Sequence, residues 1–66
     1  MTNNIKLGTL VRLSATTSFW LHDIQYGIEE FYTRFQILEN KQLSHMKVIN
    51  FKAVAGKEMI YVKVEE

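Results

Sequence analysis

The feature that constrains this chain most is a run of apolar residues, Leu21, Ile24, Ile28, Phe31, Phe35 and Leu38, spaced by three, four, three, four and three positions. That rhythm matches the 3.6-residue turn of an α-helix and lays all six side chains on one face. Trp20 and Tyr32 widen its edges. The spacing predicts a helix over about residues 18–40, with Asn40 near its end and its start capped within the hydroxyl cluster Ser14, Thr16, Thr17 and Ser18, whose oxygens accept from unpaired N–H groups. Gly27 in mid-helix costs roughly 1 kcal/mol relative to alanine and permits a close approach of another backbone.

On either side the period changes to two. Ile5, Leu7, Val11 and Leu13 alternate with Lys6, Gly8 and Arg12, which predicts a strand over about 5–13, with Gly8 weakening it or marking a bulge. Over about 46–64 the pattern predicts a hairpin. Its Gly56-Lys57 turn pairs Ala53 with Ile60, Phe51 with Val62 and Ile49 with Val64, so turn and apolar pattern agree on one register. The expected fold is α+β, two layers in the order β-α-β-β, with a three-stranded sheet and one long helix packed on one face. The helix stripe then covers Ile5, Leu7, Val11, Leu13, Ile49, Phe51, Ile60, Val62 and Val64, and Phe31→Ala is expected to unfold the domain. This element order resembles that of dodecins, a likeness of topology that carries no site with it.

Composition narrows the function. At 66 residues the chain makes one small domain, 1–66, near the size where a single core barely offsets conformational entropy. With no cysteine, disulfides, thiolate metal sites and thiol catalysis are excluded. The net charge of +1 lacks the basic excess of a dedicated duplex-DNA binder. No stretch reads as a membrane span, and Met1-Thr2-Asn3-Asn4 opens no secretory signal, so a cytoplasmic protein is expected. Charge divides along the chain: residues 19–40 carry Asp23, Glu29, Glu30 and Glu39 against Arg34, and residues 41–64 carry five lysines against Glu58.

More apolar residues are present than one helix-on-sheet layer needs. Phe19, Tyr26 and Ile37 fall opposite the helix stripe, and Met46, Val48, Val54, Met59 and Tyr61 fall on the outer hairpin face. These eight are the expected interface of a homodimer or of another protein partner. Asn50, Lys52, Tyr61 and Lys63 share that outer hairpin face and suggest a second use, in which an aromatic ring stacks on a base and lysines hold phosphates. His22, His45 and Asp23 are not spaced as metal ligands or as an acid/base pair, and the Ser/Thr cluster reads as caps. No catalytic residue, metal site or cofactor is expected.

The chain therefore reads as a non-enzymatic, self-associating interaction module, a regulator or inhibitor of the bacterial or phage accessory kind. The alternative is single-stranded nucleic-acid binding through the basic hairpin face. A third reading is an enzyme or ligand carrier whose site forms only between subunits.

Overall fold

Residues 18–40 do not form one helix. In the computed structural model, which describes residues 5–66, they make strands β1 (Ser18–Asp23) and β2 (Ile28–Thr33) and the short helix α2 (Arg34–Glu39). The chain reverses at Gly27, whose φ of 68° is open to glycine and strained for other residues. The Gly27 N–H donates to the Asp23 carbonyl at 2.8 Å, and the Gln25 N–H donates to Asp23 Oδ1 at 2.9 Å. Asp23 is thus a turn residue that satisfies the loop backbone with its own side chain. The six stripe residues scatter: Leu21 is buried, while Ile24, Ile28, Phe31 and Phe35 are exposed.

Ahead of β1, residues Leu7–Leu13 form helix α1 instead of the expected strand. Leu7, Leu10 and Val11 bury the i, i+3, i+4 face of that helix, and Leu13, which the alternating pattern placed in the core, is 80% exposed. Gly8 serves packing here, since a Cβ at that position would sit 3.1 Å from the Cβ of Ser44. Only the entry to α1 keeps strand character: the Val48 N–H donates to the Ile5 carbonyl and the Leu7 N–H to the Met46 carbonyl. The first four residues of the expected domain, with the reading that they open no secretory signal, lie outside the described residues.

Two capping sites explain where the remaining helices begin. Thr33 and Gln36 form a capping box at α2: the Gln36 N–H donates to Thr33 Oγ1 at 3.2 Å and the Thr33 N–H to Gln36 Oε1 at 2.9 Å. Asn40 ends α2 and starts α3 (Lys41–Ser44), accepting on Oδ1 from the N–H groups of Gln42 and Leu43. The cap therefore stands at Thr33 and not in the upstream hydroxyl cluster. Thr33→Ala removes one partner of the box and is expected to cost about 1 kcal/mol, read as a lower urea midpoint with an unchanged slope.

Strands β3 (Lys47–Ala53) and β4 (Met59–Glu65) form the hairpin that the alternation predicts. Ala53 pairs with Ile60 and Phe51 with Val62, as expected, but Val64 pairs with Val48 and not with Ile49, because a register shift falls between Val48 and Asn50. One extra residue in β3 reverses the sidedness of everything before it. Val48 accordingly turns into the core, 6% exposed, and Ile49 turns out, 43% exposed. At the tip, the Lys57 N–H donates to the Val54 carbonyl, and Gly56 holds a φ of 77° at the third turn position, so the turn sits one residue earlier than predicted.

The protein is α+β, its described residues forming a four-stranded mixed sheet in the order β2-β1-β4-β3 and three short helices. The expected three-stranded sheet and single long helix, and with them the likeness to dodecins, give way to this arrangement. Two antiparallel hairpins meet along a central parallel pair, β1 with β4. One sheet face supplies Phe19, Leu21, Val48, Val62 and Val64 to the core, where they meet Leu7, Leu10 and Val11 of α1 and Ile37 of α2. Among the described residues no polar or charged residue is buried and no helix is long and apolar enough to cross a membrane.

Candidate functional site

Alternation along each strand sends the neighbours of the core residues to the opposite face of the sheet. Trp20 lies between Phe19 and Leu21, and its cross-strand partners are Phe31 on β2 and Tyr61 on β4, which in turn pairs with Lys52 on β3. Phe31, Trp20, Tyr61 and Lys52 thus form one row across all four strands. Glu29, His22, Lys63 and Asn50 form the next row by the same registers.

The first row is a contiguous aromatic surface. The Trp20 and Phe31 ring centroids are 5.7 Å apart, tilted by 33°, and Trp20 meets Tyr61 edge to face at 4.7 Å. Such pairs contribute about 0.5–1.5 kcal/mol beyond area burial, which holds the rings in place before anything binds. Phe31 is 65% exposed, whereas Trp20 and Tyr61 are half-buried. The Lys52 ammonium stands 5.8 Å from the Tyr61 ring centroid, a cation–π position that keeps positive charge at the β3 end of the row.

Polar groups on the face orient these rings. The Trp20 Nε1–H donates to Glu29 Oε1 at 2.9 Å, and the Tyr61 hydroxyl and His22 Nδ1 are joined at 2.6 Å by a hydrogen bond whose direction follows the imidazole tautomer. Asn50, Phe51, Lys52, Tyr61 and Lys63 line a recess of about 90 Å³ on the hairpin side. The charge division visible along the chain becomes a gradient across the sheet, from Glu29 and Glu30 on β2 to Lys47 and Lys52 on β3.

The residues singled out from the sequence fall into two groups. Asn50, Lys52, Tyr61 and Lys63 come together as the hairpin register required. Of the eight expected interface residues, Phe19 and Ile37 are fully buried and Val48 is 6% exposed, so their side chains fill the core and present no surface. Phe19 turns inward because β1 is a strand, Ile37 because α2 starts afresh at Thr33, and Val48 because of the bulge. Met46 packs against the core, and Val54 and Met59 are half-buried at the hairpin. Tyr26 is 63% exposed in the β1–β2 loop. The apolar spacing places Trp20 and Phe31, two of the three rings of the row, on the core side of a helix, whereas both lie on the open face of the sheet. Phe19, Trp20 and Leu21 are all apolar and show no alternation, so the signal that locates Trp20 is the turn marked by Asp23 and Gly27.

The opposite side of the sheet holds a cleft of about 210 Å³ lined by the apolar Leu21, Ile28, Leu43, Met46 and Val64 together with Asp23, Glu30 and Tyr32. Tyr32 donates its hydroxyl proton to Glu30 Oε2 at 2.8 Å, and this bond to a carboxylate raises the phenol above its usual pKa, with burial and the Glu30 charge adding to it. The cleft is smaller than ordinary small-molecule pockets. His45 is remote from His22 in role, its Nδ1–H donating to the Lys41 carbonyl. Among the described residues no group of three or more His, Asp or Glu side chains is arranged to hold a metal ion.

Comparison with protein-family models, with curated proteins and with solved structures gives no match to this chain. Any functional assignment therefore rests on the sheet face itself.

Proposed function

We propose that the protein is a non-enzymatic binding module that holds single-stranded nucleic acid on the open face of its sheet. The observation that carries this reading is the row Phe31, Trp20, Tyr61 and Lys52, flanked by Lys63 and Asn50. Unpaired bases lie on aromatic rings, each contributing about 1–3 kcal/mol with little dependence on sequence, and the lysines neutralise phosphates. A duplex hides its base faces, so an open aromatic platform suits a single strand. The near-balanced overall charge suits short contacts of modest affinity better than duplex wrapping.

Trp20 is the one tryptophan in the chain, so its fluorescence reports directly on the platform. Titration with a single-stranded oligonucleotide at low salt is expected to give saturable quenching. Affinity should fall with salt at a log–log slope of about −1.4, about −0.7 for each phosphate held by Lys52 and Lys63. Absence of quenching by any oligonucleotide at low salt defeats the reading.

A second reading, self-association or capture of another protein in a regulatory or inhibitory role, is favoured by a different observation. Eight large hydrophobic residues are exposed among the described residues, nearly as many as the nine that form the core. A contact between copies that covers Phe31 and its neighbours makes stability depend on concentration. Sedimentation with and without oligonucleotide distinguishes the two, since a dimer that salt leaves intact and that excludes oligonucleotide supports the second. The cysteine-free chain suits the reducing cytoplasm under either reading.

A further inference from the structure

We propose that Glu29 makes this face selective among single strands, favouring bases that carry an exocyclic amino group over thymine and uracil. The inference rests on the nucleic-acid reading given above. An acidic side chain beside a phosphate-binding surface is unexpected if the face only attracts charge. Its geometry gives it a different task.

Glu29 is exposed on β2, one row from Phe31 and Trp20. The Trp20 Nε1–H donates to its Oε1 at 2.9 Å and pins the carboxylate to the edge of the indole. Oε2 makes no hydrogen bond among the described residues. A base lying on Phe31 and Trp20 therefore meets, at its rim, an anchored group that only accepts hydrogen bonds. The N4 amino group of cytosine donates there, and the amino groups of adenine and guanine offer the same chemistry. Thymine and uracil present the carbonyl O4 in place of the N4 amine, so acceptor faces acceptor at that position and only the ring N3–H, set further back along the edge, can donate.

The same charge sets the direction in which the strand lies. Phosphates are repelled from the β2 side, where Glu29 stands, and drawn to the β4–β3 side, where Lys63 and Lys52 stand. Base edges then point towards β2 and the sugar–phosphate backbone runs over the second hairpin.

Oligo(dC) and oligo(dT) of equal length, titrated against the Trp20 fluorescence, test this directly, because both are pyrimidines of similar size and differ at the group in question. The native protein is expected to bind oligo(dC) about tenfold more tightly, the scale of one hydrogen bond to a charged acceptor. Glu29→Gln places an amide that both donates and accepts at the same spot. The preference is then expected to fall to about twofold or less, with an unchanged melting temperature and a salt slope that stays the same or steepens slightly. Equal affinity of the native protein for the two strands overturns the inference while leaving the nucleic-acid reading in place, and so does a preference that survives Glu29→Gln. Failure of either strand to quench at low salt removes the underlying reading itself. Lys52→Ala serves as the contrast, expected to weaken both strands alike.

Discussion

Phe19→Ala is expected to leave this protein largely unfolded at room temperature. Phe19 is fully buried near the start of β1, between Tyr32 on β2 and Ile60 on β4, and is the largest of the fully buried side chains among the described residues. Its truncation costs about 3–5 kcal/mol, the transfer free energy of the ring plus the cavity it leaves. A chain of this length has in total roughly 3–10 kcal/mol of stability at the usual 0.05–0.15 kcal/mol per residue. One substitution thus removes most of the margin. Circular dichroism of the variant is expected to show little cooperative melting, and a variant that melts within a few degrees of the parent contradicts the burial of β1 against the helices.

Phe31→Ala is the opposite case, expected to leave folding nearly intact and to weaken oligonucleotide binding by about 1–3 kcal/mol, roughly fivefold to 150-fold. Phe31 is 65% exposed and makes its main ring contact with Trp20, so little core packing goes with it. Read as a helix-core residue, the same side chain was expected to unfold the domain when truncated. Its exposure reverses that expectation and turns the substitution into a separation of stability from function. A melting temperature within a few degrees of the parent, alongside a clear loss of quenching, is the expected pair of results. A large loss of stability, or unchanged affinity, contradicts the platform.

How much of this was legible depended on whether a local pattern had one physical meaning or two. The second hairpin was readable because Gly56 needs a turn and the apolar alternation on either side of it agrees with that turn, which also brought Asn50, Lys52, Tyr61 and Lys63 together. The bulge at Val48 was invisible, since Val48 and Ile49 are both apolar and the alternation can be read through them in either phase. Residues 18–40 misled because both faces of β1 are apolar. With Trp20 on one side and Phe19 and Leu21 on the other, alternation of polarity disappears, and a helical spacing that spans two strands, a loop and a helix emerges by coincidence. Gly27 and Asp23 carried the contrary signal, a glycine and a side-chain acceptor suited to a turn. In α1, Leu7 and Val11 satisfy both periods, and only Leu10 favours the helix. The aromatic half of the site was lost with β1 and β2, the basic half retained with β3 and β4.

The central parallel pair has a consequence for the order of assembly. Each hairpin closes over a short stretch of chain, a process of microseconds, and neither needs the other to do so. The β1–β4 seam instead joins Ser18 to Met59 and Asp23 to Val64, partners separated by most of the molecule. Loop-closure entropy is spent before those contacts return anything, so the seam sets the folding barrier. Tyr61 stands on one side of that seam and Phe31 and Trp20 on the other, so the aromatic row is complete only once the seam has closed.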